Sequence, residues 1–556
     1  MGSPVGFPVS FSASFFLRSA AGTWTNPTPV DAAVLSTSDH GFNMSAQVLH
    51  NHLFISYKSA QNRLHVWDGT TLRRTGLAQP AIPSAANSGG AGSLSGTRYY
   101  RVRYIESGAA VNGKPTYRRS EPSTTLTFAP SGTNASITVT KPAGISEGET
   151  HWELEASTDN ANFYILATVV VGTTTYVDST AYGVGYGGGV LSEQIGLYTL
   201  QPSAKFIIAD EDRLILAGHW TDLSQQSHVF WTPVWNDPGA GNDERLPLQS
   251  FFNNQVSLDN YDGGPITGLS QAIDGVFYVF KWSGVYRFAR TGILTHAYDI
   301  QCLSKTRGAI PGSIVNGLDE NGDPAVYFLD PYIGPTRIGR TGLQSITGLR
   351  SVWRRANVYA PYIAARGIYY PYKHQVHWWI AVDGAYYPNL KLVLQVNDLR
   401  ATPGGVGGGW SLATGPIASI AAVTLVTEVG VGQPSANARP YIGTLTGNVG
   451  VLSGQLMRCD VGVTDAGTAY TAALTTRAHL PGGIMGRFGT MSAAIEGEAN
   501  YLSYPTVSIV RDYEAEVITG TISNGFVPTG SETRVIRVLD QLAVSGAKAL
   551  QIRISD

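Results

Sequence analysis

The chain has 556 residues, and its charged fraction of 14% lies well below the roughly 25% typical of soluble domains, which excludes coiled coils and long charged helices as its main architecture. Lys and Arg total 38 against 40 Asp and Glu, so the net charge of -2 provides no bulk attraction to nucleic acid or to an anionic membrane. The 64 Gly, 29 Pro and 28 Tyr favour short strands joined by tight turns, and we therefore predict an all-β protein.

The N-terminus shows no targeting or membrane signal. Met1–Leu17 is apolar in patches, but no Lys or Arg precedes Arg18, so a signal peptide is not expected. No run of about 18 apolar residues predicts a transmembrane helix. The chain has two cysteines, Cys302 and Cys459, which leave one disulfide open but do not require it. We expect a soluble protein or a component of a larger particle.

Pairs of alternating apolar strands recur along the chain, separated by turn residues. The pairs are Leu53–Tyr57 with Leu64–Trp67 and the turn Asp68–Gly69, Arg213–Gly218 with Val229–Trp231, Val276–Phe280 with Gly284–Phe288, Ala325–Leu329 with Thr336–Ile338, Val376–Ala381 with Lys391–Val396, and Ile417–Leu425 with Arg439–Thr444 and Val449–Leu452. Their spacing of roughly 40 to 60 residues is near that of propeller blades. One such sheet cannot bury both faces alone, so we predict a β-propeller-like stack of antiparallel blades.

A denser series of short strands interrupts this rhythm between residues 84 and 187. It includes Tyr99–Tyr104, Ser136–Thr140, Trp152–Ala156, Phe163–Ala167 and Thr173–Asp178. This number of strands in about 100 residues is typical of an immunoglobulin-like or fibronectin type III-like β-sandwich. We therefore predict four segments: a first propeller segment at 1–83, an inserted sandwich at 84–187, the main blades at 188–457, and a C-terminal β region at 458–556 that completes or caps the propeller or forms its own β-domain.

The last segment contains further strand candidates. They are Thr471–Arg477, Met491–Glu496, Thr506–Val510, Glu514–Thr519 and Ala549–Ile554. Ser531–Arg534 followed by Val535–Leu539 has the pattern of a short helix, but its β-branched residues favour a strand.

The order of these parts resembles the nozzle, or tail tubular B-type, proteins that form the distal tube of short-tailed bacteriophages (podoviruses). The phrases that carry the resemblance are Asp212–Gly218, Gly275–Phe280 with Gly284–Phe288, Pro324–Asp330 with Gly334–Gly339, the sandwich residues Trp152–Asp159 with Phe163–Tyr164, and the C-terminal Thr476–Phe488 and Ala549–Ile554. The chain departs from the family in its very short opening before the first blade.

The resemblance implies a virion structural protein that is not an enzyme and needs no cofactor. Its copies would assemble in the host cytoplasm into a homo-oligomeric ring, expected to be a hexamer, within the virion tail. A portal-adaptor protein would lie above the ring, with tail fibres or a tail needle nearby. Double-stranded DNA would pass through the lumen during ejection without sequence-specific binding.

Two loops approach known binding motifs. Asp319, Asn321 and Asp323, with Glu320 and Gly322 between them, place oxygen ligands at alternate positions as calcium loops do, but the downstream Glu of an EF-hand is missing. Ser157–Phe163 approaches the Asp-box turn of sialidase propellers, with Ala161 where the motif has Gly. Hairpin turns are the favoured interpretation of both loops.

Other candidate residues are explained more simply by structure. His50 with His52 and His374 with His377 lack carboxylate or Cys partners close in sequence, so packed or surface imidazoles are favoured over metal ligands. A glycosidase would need two carboxylates, for which Asp210, Glu211, Asp212 and Asp383 are candidates, although turn residues of this type are usually structural. We predict no catalytic, cofactor-binding or metal-binding residues.

One cluster is rich in arginine and aromatic residues: Arg350, Trp353, Arg354, Arg355, Tyr359 and Tyr362. It is suited to contact a phosphate backbone or a neighbouring subunit, and a solvated loop is the simpler interpretation.

The alternative function is a carbohydrate-binding or glycan-degrading propeller, suggested by Trp67, Trp231, Trp235, Trp378 and Trp379, because aromatic faces stack on sugars. Core packing explains the same tryptophans. A third hypothesis, a cell-surface adhesion module, would require the secretion signal that the N-terminus does not show.

Overall fold

The structure is a computed structural model that describes the chain in parts. It describes residues 29–31, most of 44–402, and separate strands, largely as backbone, between 9 and 25 and between 405 and 555. The gaps within 44–402 are 50–51, 59–63, 68–70, 90–94, 112–113, 132–135, 182–184, 197, 201–203, 221, 233–253, 259–263, 294–295 and 361–363. The predicted strand Val449–Leu452 and the turn Asp68–Gly69 lie outside the described residues.

The protein is all-β, and its main body is a series of four-stranded antiparallel sheets in simple meander order. Blade 1 contains β4 (Met44–Leu49), β5 (His52–Tyr57), β6 (Leu64–Trp67) and β7 (Leu72–Arg74). Blade 2 contains β17 (Phe206–Asp210), β18 (Arg213–Ala217), β19 (His228–Trp231) and β20 (Gln255–Ser257). Blade 3 contains β21 (Ile266–Leu269), β22 (Val276–Lys281), β23 (Val285–Ile293) and β24 (His296–Ser304). The hairpins predicted in these three blades are confirmed by their register.

Successive blades pack face to face, and the period-2 pattern of their central strands explains how. In β18, Leu214 and Leu216 join a core with Phe54 and Val66 of blade 1. The alternate residues Ile215 and Ala217 face the opposite way and join a core with blade 3. A sheet buried on both faces needs apolar residues at both phases of the alternation, so its central strand is a nearly continuous apolar run. This arrangement is the predicted propeller-like stacking.

Blades 4 and 5 are joined edge to edge. Blade 4 contains β25 (Val315–Leu318), β26 (Pro324–Asp330), β27 (Gly334–Gly339) and β28 (Gly342–Thr347), and blade 5 contains β29 (Ala365–Tyr370), β30 (Gln375–Ile380), β31 (Leu390–Thr402) and β32 (Gly405–Ala413). A parallel pairing of β28 with β32, in which Ile346 lies opposite Val406, makes one eight-stranded sheet. Trp410 supports this pairing by donating a 2.8 Å hydrogen bond from Nε1 to the Thr347 carbonyl. Blade 4 also packs on blade 3 through Phe280 and Phe328.

The insertion between blades 1 and 2 is a two-sheet β-sandwich. Its strands are β8 (Ser84–Ser88), β9 (Arg98–Val111), β10 (Lys114–Arg119), β11 (Leu126–Phe128), β12 (Ser136–Thr140), β13 (His151–Ser157), β14 (Tyr164–Val170), β15 (Thr175–Asp178) and β16 (Val190–Leu191). One sheet has the order β10-β9-β13-β14-β16, with β11 on β9, and the other has the order β15-β12-β8. Ile137 and Val139 of the smaller sheet meet Tyr100, Trp152 and Leu154 of the larger one in a common core.

The remaining strands lie at the two ends of the chain. At the N-terminus, β1 (Val9–Phe11), β2 (Ser14–Arg18) and β3 (Trp24–Thr25) form a small sheet. After blade 5, β33 (Ile420–Glu428), β34 (Asn437–Thr444) and β35 (Leu456–Arg458) form another, and Ile417 lies outside the described residues.

A second compact unit consists mainly of residues 459–556. Its strands are β36 (Thr464–Asp465), β37 (Thr468–Ala469), β38 (Ala473–Thr475), β39 (Gly486–Glu498), β40 (Thr506–Arg511), β41 (Glu516–Thr521), β42 (Arg534–Ala547) and β43 (Leu550–Ser555). Val535–Leu539, where β-branched residues favour a strand over a short helix, lies in β42 and pairs with β39, and Ser531–Thr533 lie outside the described residues.

Helices are few in the described part of the chain: α1 (Arg350–Trp353) and two 3₁₀ turns at Leu223–Gln225 and Pro371–Lys373. None of these is long and apolar enough to cross a membrane.

Candidate functional site: the sandwich junction and the two ends of the blade stack

The segment that leads from blade 1 into the sandwich is held by a buried arginine. Arg118 donates from Nη1 to the carbonyl oxygens of Arg74 and Gly76, at 2.7 and 3.1 Å, and from Nη2 to the Glu147 carbonyl at 2.6 Å. Its Nε donates to Glu106 of the same sandwich. One fully buried guanidinium therefore bonds both the end of blade 1 and two parts of the sandwich.

A buried ion pair crosses the same junction. Glu147 accepts a 2.6 Å hydrogen bond from Nη1 of Arg74 and a 2.8 Å bond from the backbone N–H of Ala78. The Glu147 side chain is 1% exposed, and Leu77 between these partners is fully buried. Because an unpaired charge here would be costly to bury, the geometry that satisfies Glu147 also fixes the direction in which the chain leaves blade 1.

Blade 1 contains a second buried polar group close to this junction. Nε2 of His65 lies 3.0 Å from Oδ1 of Asp31, and Nδ1 lies 3.0 Å from the Tyr57 hydroxyl. Since Asp31 precedes the blade and the N–H of Val30 donates to the Leu72 carbonyl, the residues before blade 1 are fastened to its last two strands.

The segment that follows the sandwich is bonded back onto it through residues 192–196 and 198, which we call the return strap. The Glu121 carboxylate accepts from the backbone N–H groups of Gly196 and Tyr198. Arg103 donates from Nη2 to the Glu193 carbonyl at 3.0 Å, and Arg119 pairs with the Glu193 carboxylate at 2.8 Å.

Below the strap, the outer face of the larger sandwich sheet carries a buried charge cluster. Arg101 and Arg103 of β9 both pair with Glu155 of β13, and Arg119 pairs with Glu153. Burial raises the pKa of Glu153, and the positive charge of Arg119 opposes that rise. Ser192 of the strap donates to Glu155. The strap therefore covers charges that would otherwise lie on an open sheet face, and it extends the sandwich by the first part of the segment that returns to blade 2.

The two ends of the blade stack carry different residue types, and the meander order of each blade determines which turns lie at which end. In a meander, the turn between the first and second strands lies at one end of the sheet, and the turn between the second and third lies at the other. The first kind of turn is Glu211–Asp212 in blade 2, Asp274–Gly275 in blade 3 and Asp319–Asp323 in blade 4. We call these three turns the acidic end.

An open cleft of ≈ 410 Å³ lies at the acidic end between blades 2 and 3. Its lining residues are Asp210, Glu211, Asp212, Arg213, Arg290, Thr291 and Gly292. Asp210 is buried and accepts a 2.6 Å hydrogen bond from Tyr298, while Arg290 of blade 3 pairs with Glu211 of blade 2. Burial and this hydrogen bond raise the pKa of Tyr298. The glycosidase candidate Asp210 is thus part of the contact between two blades.

The opposite end of the stack carries arginine and aromatic side chains. We call Trp282, Tyr332, Arg350, Arg354, Arg355 and Tyr359 the arginine–tyrosine end. Tyr359 stacks on Trp282, with ring centroids 5.0 Å apart, and remains 68% exposed. Trp353 packs against Gly334, which has a φ of 90°, and a Cβ there would lie 3.0 Å from the indole. These contacts join the turn after β22, the turn after β26 and α1 in one surface.

Within this surface, only part of the positive charge is neutralised by described residues. Arg355 forms an exposed bidentate pair with Asp383, which lowers the pKa of that carboxyl. Arg350 and Arg354 are exposed, and neither has a carboxylate partner in the described part of the chain. Tyr362, which was predicted to belong to the cluster, lies outside the described residues.

The calcium-like loop is a hairpin turn with its carboxylates occupied. Oδ1 of Asp319 accepts from the backbone N–H groups of Asn321 and Asp323, both at 2.9 Å. Glu320 forms a bidentate pair with Arg337, which lowers the pKa of Glu320. Asp323 pairs with Arg340 at 3.2 Å. No three His, Cys, Asp or Glu side chains converge to suit a metal among the residues that the structure describes.

The loop that resembles an Asp box connects β13 and β14. Asp159 accepts from the backbone N–H groups of Ala161 and Asn162, and these bonds lower its pKa. Asn160, between Asp159 and Ala161, has a positive φ of 58°, a conformation that Asn tolerates. The loop is therefore the hairpin turn between β13 and β14, as predicted.

The candidate histidines do not form one site. His377 is buried and lies 2.8 Å from the Gln375 amide oxygen, and His374 lies 3.2 Å from the Tyr369 hydroxyl. His52 is half-buried on β5, and His50 lies outside the described residues.

The tryptophans that suggested sugar binding lie mostly in the core. Trp378, Trp379 and Trp231 are buried, Trp67 is half-buried, and Trp235 lies outside the described residues. Trp378 donates a 2.8 Å hydrogen bond to the Ser313 carbonyl, so its indole is used inside the fold. In the described part of the chain, the exposed large aromatic rings belong to Tyr332, Tyr359, Tyr372 and Tyr386.

Sequence reasoning missed the residues that fasten the sandwich. Arg118, Glu147, Glu155 and Glu193 lie in ordinary polar positions of predicted strands and loops. One signal was present: arginines recur at positions 98, 101, 103, 118 and 119 while glutamates recur at 147, 149, 153 and 155, in a chain otherwise poor in charge.

Comparison with known proteins identifies no family. No protein-family model and no curated protein matches the chain. Among solved structures, it is similar to Kluyveromyces lactis Hsv2 with its complete loop 6CD, at 9% identity and a TM-score of 0.25, over 73% of this chain and 94% of that one. It is also similar to the extracellular domain of a one component system from B. thetaiotaomicron, at 10% identity and a TM-score of 0.24, over 99% of this chain and 68% of that one. Such low TM-scores carry no inference, and the description of the fold rests on the sheets themselves.

Proposed function

We propose that this chain is a structural subunit of a bacteriophage tail, a nozzle protein whose copies build the distal tube through which the genome leaves. The observation that carries the proposal is the firm attachment of the sandwich to blade 1, since the buried Arg74–Glu147 pair and the hydrogen bonds of Arg118 fasten the entry into the sandwich. A domain inserted through flexible linkers would swing freely. A domain fastened in this way suits a scaffold that must hold its parts in one geometry.

The composition supports the same proposal. A channel for DNA must avoid strong attraction to the polymer, and a net charge of -2 on 556 residues is compatible with that. The hexameric ring, the portal adaptor above it and the fibres nearby come from the family resemblance. We propose no catalytic activity for the chain.

The proposal is tested by the assembly state of the protein. Light scattering and negative-stain electron microscopy of the purified full-length chain are expected to show closed rings, and mass spectrometry is expected to find the chain in tail-containing particles. A protein that remains monomeric at high concentration and is absent from particles contradicts the proposal.

A further inference from the structure

The acidic end and the arginine–tyrosine end lie at opposite ends of the same blades. Strand β22 begins after Asp274–Gly275 of the acidic end and finishes at Lys281, directly before Trp282 of the other end. Six residues of strand span about 20 Å. Contacts between neighbouring blades hold the corresponding turns side by side at each end. At the acidic end, Arg290 of blade 3 pairs with Glu211 of blade 2. At the other end, Gly308 lies against the end of β22 and donates a hydrogen bond to Asp330 of β26.

The acidic end presents two accessible carboxylates, in the turns of blades 2 and 3, whereas Glu320 and Asp323 of the blade 4 turn are paired with arginines. Asp274 is exposed, and its carboxylate has no partner among the described residues. Glu211 is 65% exposed although it pairs with Arg290. Glu211 lines the open ≈ 410 Å³ cleft, and Asp274 precedes Gly275, which lies against Arg290 of the same lining.

The other end presents the residue types that protein interfaces favour. Tyr, Trp and Arg are enriched in the centres of such interfaces. Arg350 and Arg354 project from and beside the short helix α1, and the Tyr359–Trp282 stack provides a rigid apolar platform next to them.

We propose that a second copy of this chain binds head to tail, with the arginine–tyrosine end of one copy on the acidic end of the next. The proposal rests on the proposed function, since it names the surfaces through which copies of a tail subunit would meet. Charge complementarity identifies the occupant, because one chain carries the basic surface and an acidic surface at the opposite end. Such a contact is heterologous and builds a ring when its rotation closes. An acidic partner protein or a nucleic acid would bind the arginine–tyrosine end alone, whereas a second copy of this chain accounts for both surfaces.

Two double variants of the full-length chain test the contact. Arg350→Glu with Arg354→Glu reverses the charge of one end. Glu211→Gln with Asp274→Asn removes the two accessible charges of the other end and keeps side chains of the same shape at two positions with a φ of 50°. Each variant is expected to weaken self-association about tenfold or more in sedimentation velocity at low salt. Lys141→Glu, on the sandwich, is the control and is expected to assemble as the unchanged protein does. Circular dichroism verifies that every variant is folded.

Mixing the two variants gives the sharper result. Each retains one intact end, so the mixture is expected to form heterodimers of one copy of each and nothing larger.

If both variants assemble like the unchanged chain, the inference fails while the proposed function stands. If the unchanged chain is monomeric and absent from particles, both fail. If the arginine reversal abolishes binding to a short DNA duplex but leaves assembly intact, the surface serves phosphate and the inference is overturned.

Discussion

Glu147 of the sandwich and Arg74 of blade 1 form an ion pair of 2.6 Å in which the carboxylate is almost completely buried. The pair lies where the chain passes from one domain to another, so a contact that stabilises the fold also sets the angle between two domains.

Glu147→Gln should loosen this junction. The amide places a donor toward either the Arg74 guanidinium or the Ala78 N–H and leaves a buried cation unpaired, so we expect a loss of about 3 kcal/mol in the free energy of unfolding. Urea unfolding measures the loss, and limited proteolysis should show new cleavage within residues 75–83. Arg340→Ala breaks a pair whose arginine is 79% exposed and should cost less than about 1 kcal/mol. Equal losses from the two variants would contradict this account.

Phe277→Ala should be among the most destabilising changes in blade 3. The ring is fully buried and contacts Phe288 and Tyr298 in the core shared with blade 2. We expect a cost of about 3 to 5 kcal/mol, measured by chemical denaturation. Leu223→Ala, at a position 77% exposed, should change stability by less than about 0.5 kcal/mol. A small effect of the phenylalanine change would mean that blades 2 and 3 do not share this core.

Gly308→Ala tests the close approach of blades 3 and 4. A Cβ at this position would lie 2.2 Å from the Lys281 carbonyl oxygen and 2.3 Å from that of Trp282, and backbone atoms cannot move aside cheaply. We expect a loss of about 1 to 3 kcal/mol in thermal or urea unfolding. Gly172→Ala has open space around its Cβ and no positive φ, so it should leave stability nearly unchanged. If both alanines are tolerated alike, the packing of this segment on blade 3 is not as close as described.

The Glu320–Arg337 pair should give a pH-dependent contribution to stability. The pKa of Glu320 is lowered in the folded protein by the hydrogen bond from Arg337, so the folded state favours the ionised carboxylate. Its contribution is present above the unfolded value of about 4.5 and is lost as the pH falls through the lowered pKa. Glu320→Gln should cost about 1 kcal/mol at pH 7, because the pair is partly exposed and screened. The difference between the two proteins in urea unfolding should shrink below pH 4.5, and a difference that stays constant down to pH 3 would contradict the assignment.

Much of the fold was predictable because a strand is indicated by the alternation of apolar residues within a short stretch of sequence. The pairs in blades 1 to 4 follow from period-2 patterns such as Val276–Phe280 with Gly284–Phe288, in which each residue's phase decides which neighbouring blade it faces. The parallel join between Ile346 and Val406 was not predictable, because it connects strands 60 residues apart and depends on edges that no local pattern marks.

The candidate surfaces divide in the same way. The cluster at Arg350 to Tyr359 was visible as a run of similar residues, whereas its contact with Trp282 required the fold. The buried charge cluster around Glu155 was not predicted, because a charged residue on a strand normally indicates a solvated face, whereas here the return strap covers that face.

The return strap also determines the C-terminal boundary of the sandwich domain. A fragment cut at residue 187 would keep every long strand of the two sheets but would lose Ser192, Glu193 and Tyr198, and Arg103 and Arg119 would lose their cover. A fragment that continues to residue 200 retains the aromatic ring and the carboxylate that lie over these arginines. A fragment designed to fold by itself should therefore contain the sandwich together with the return strap.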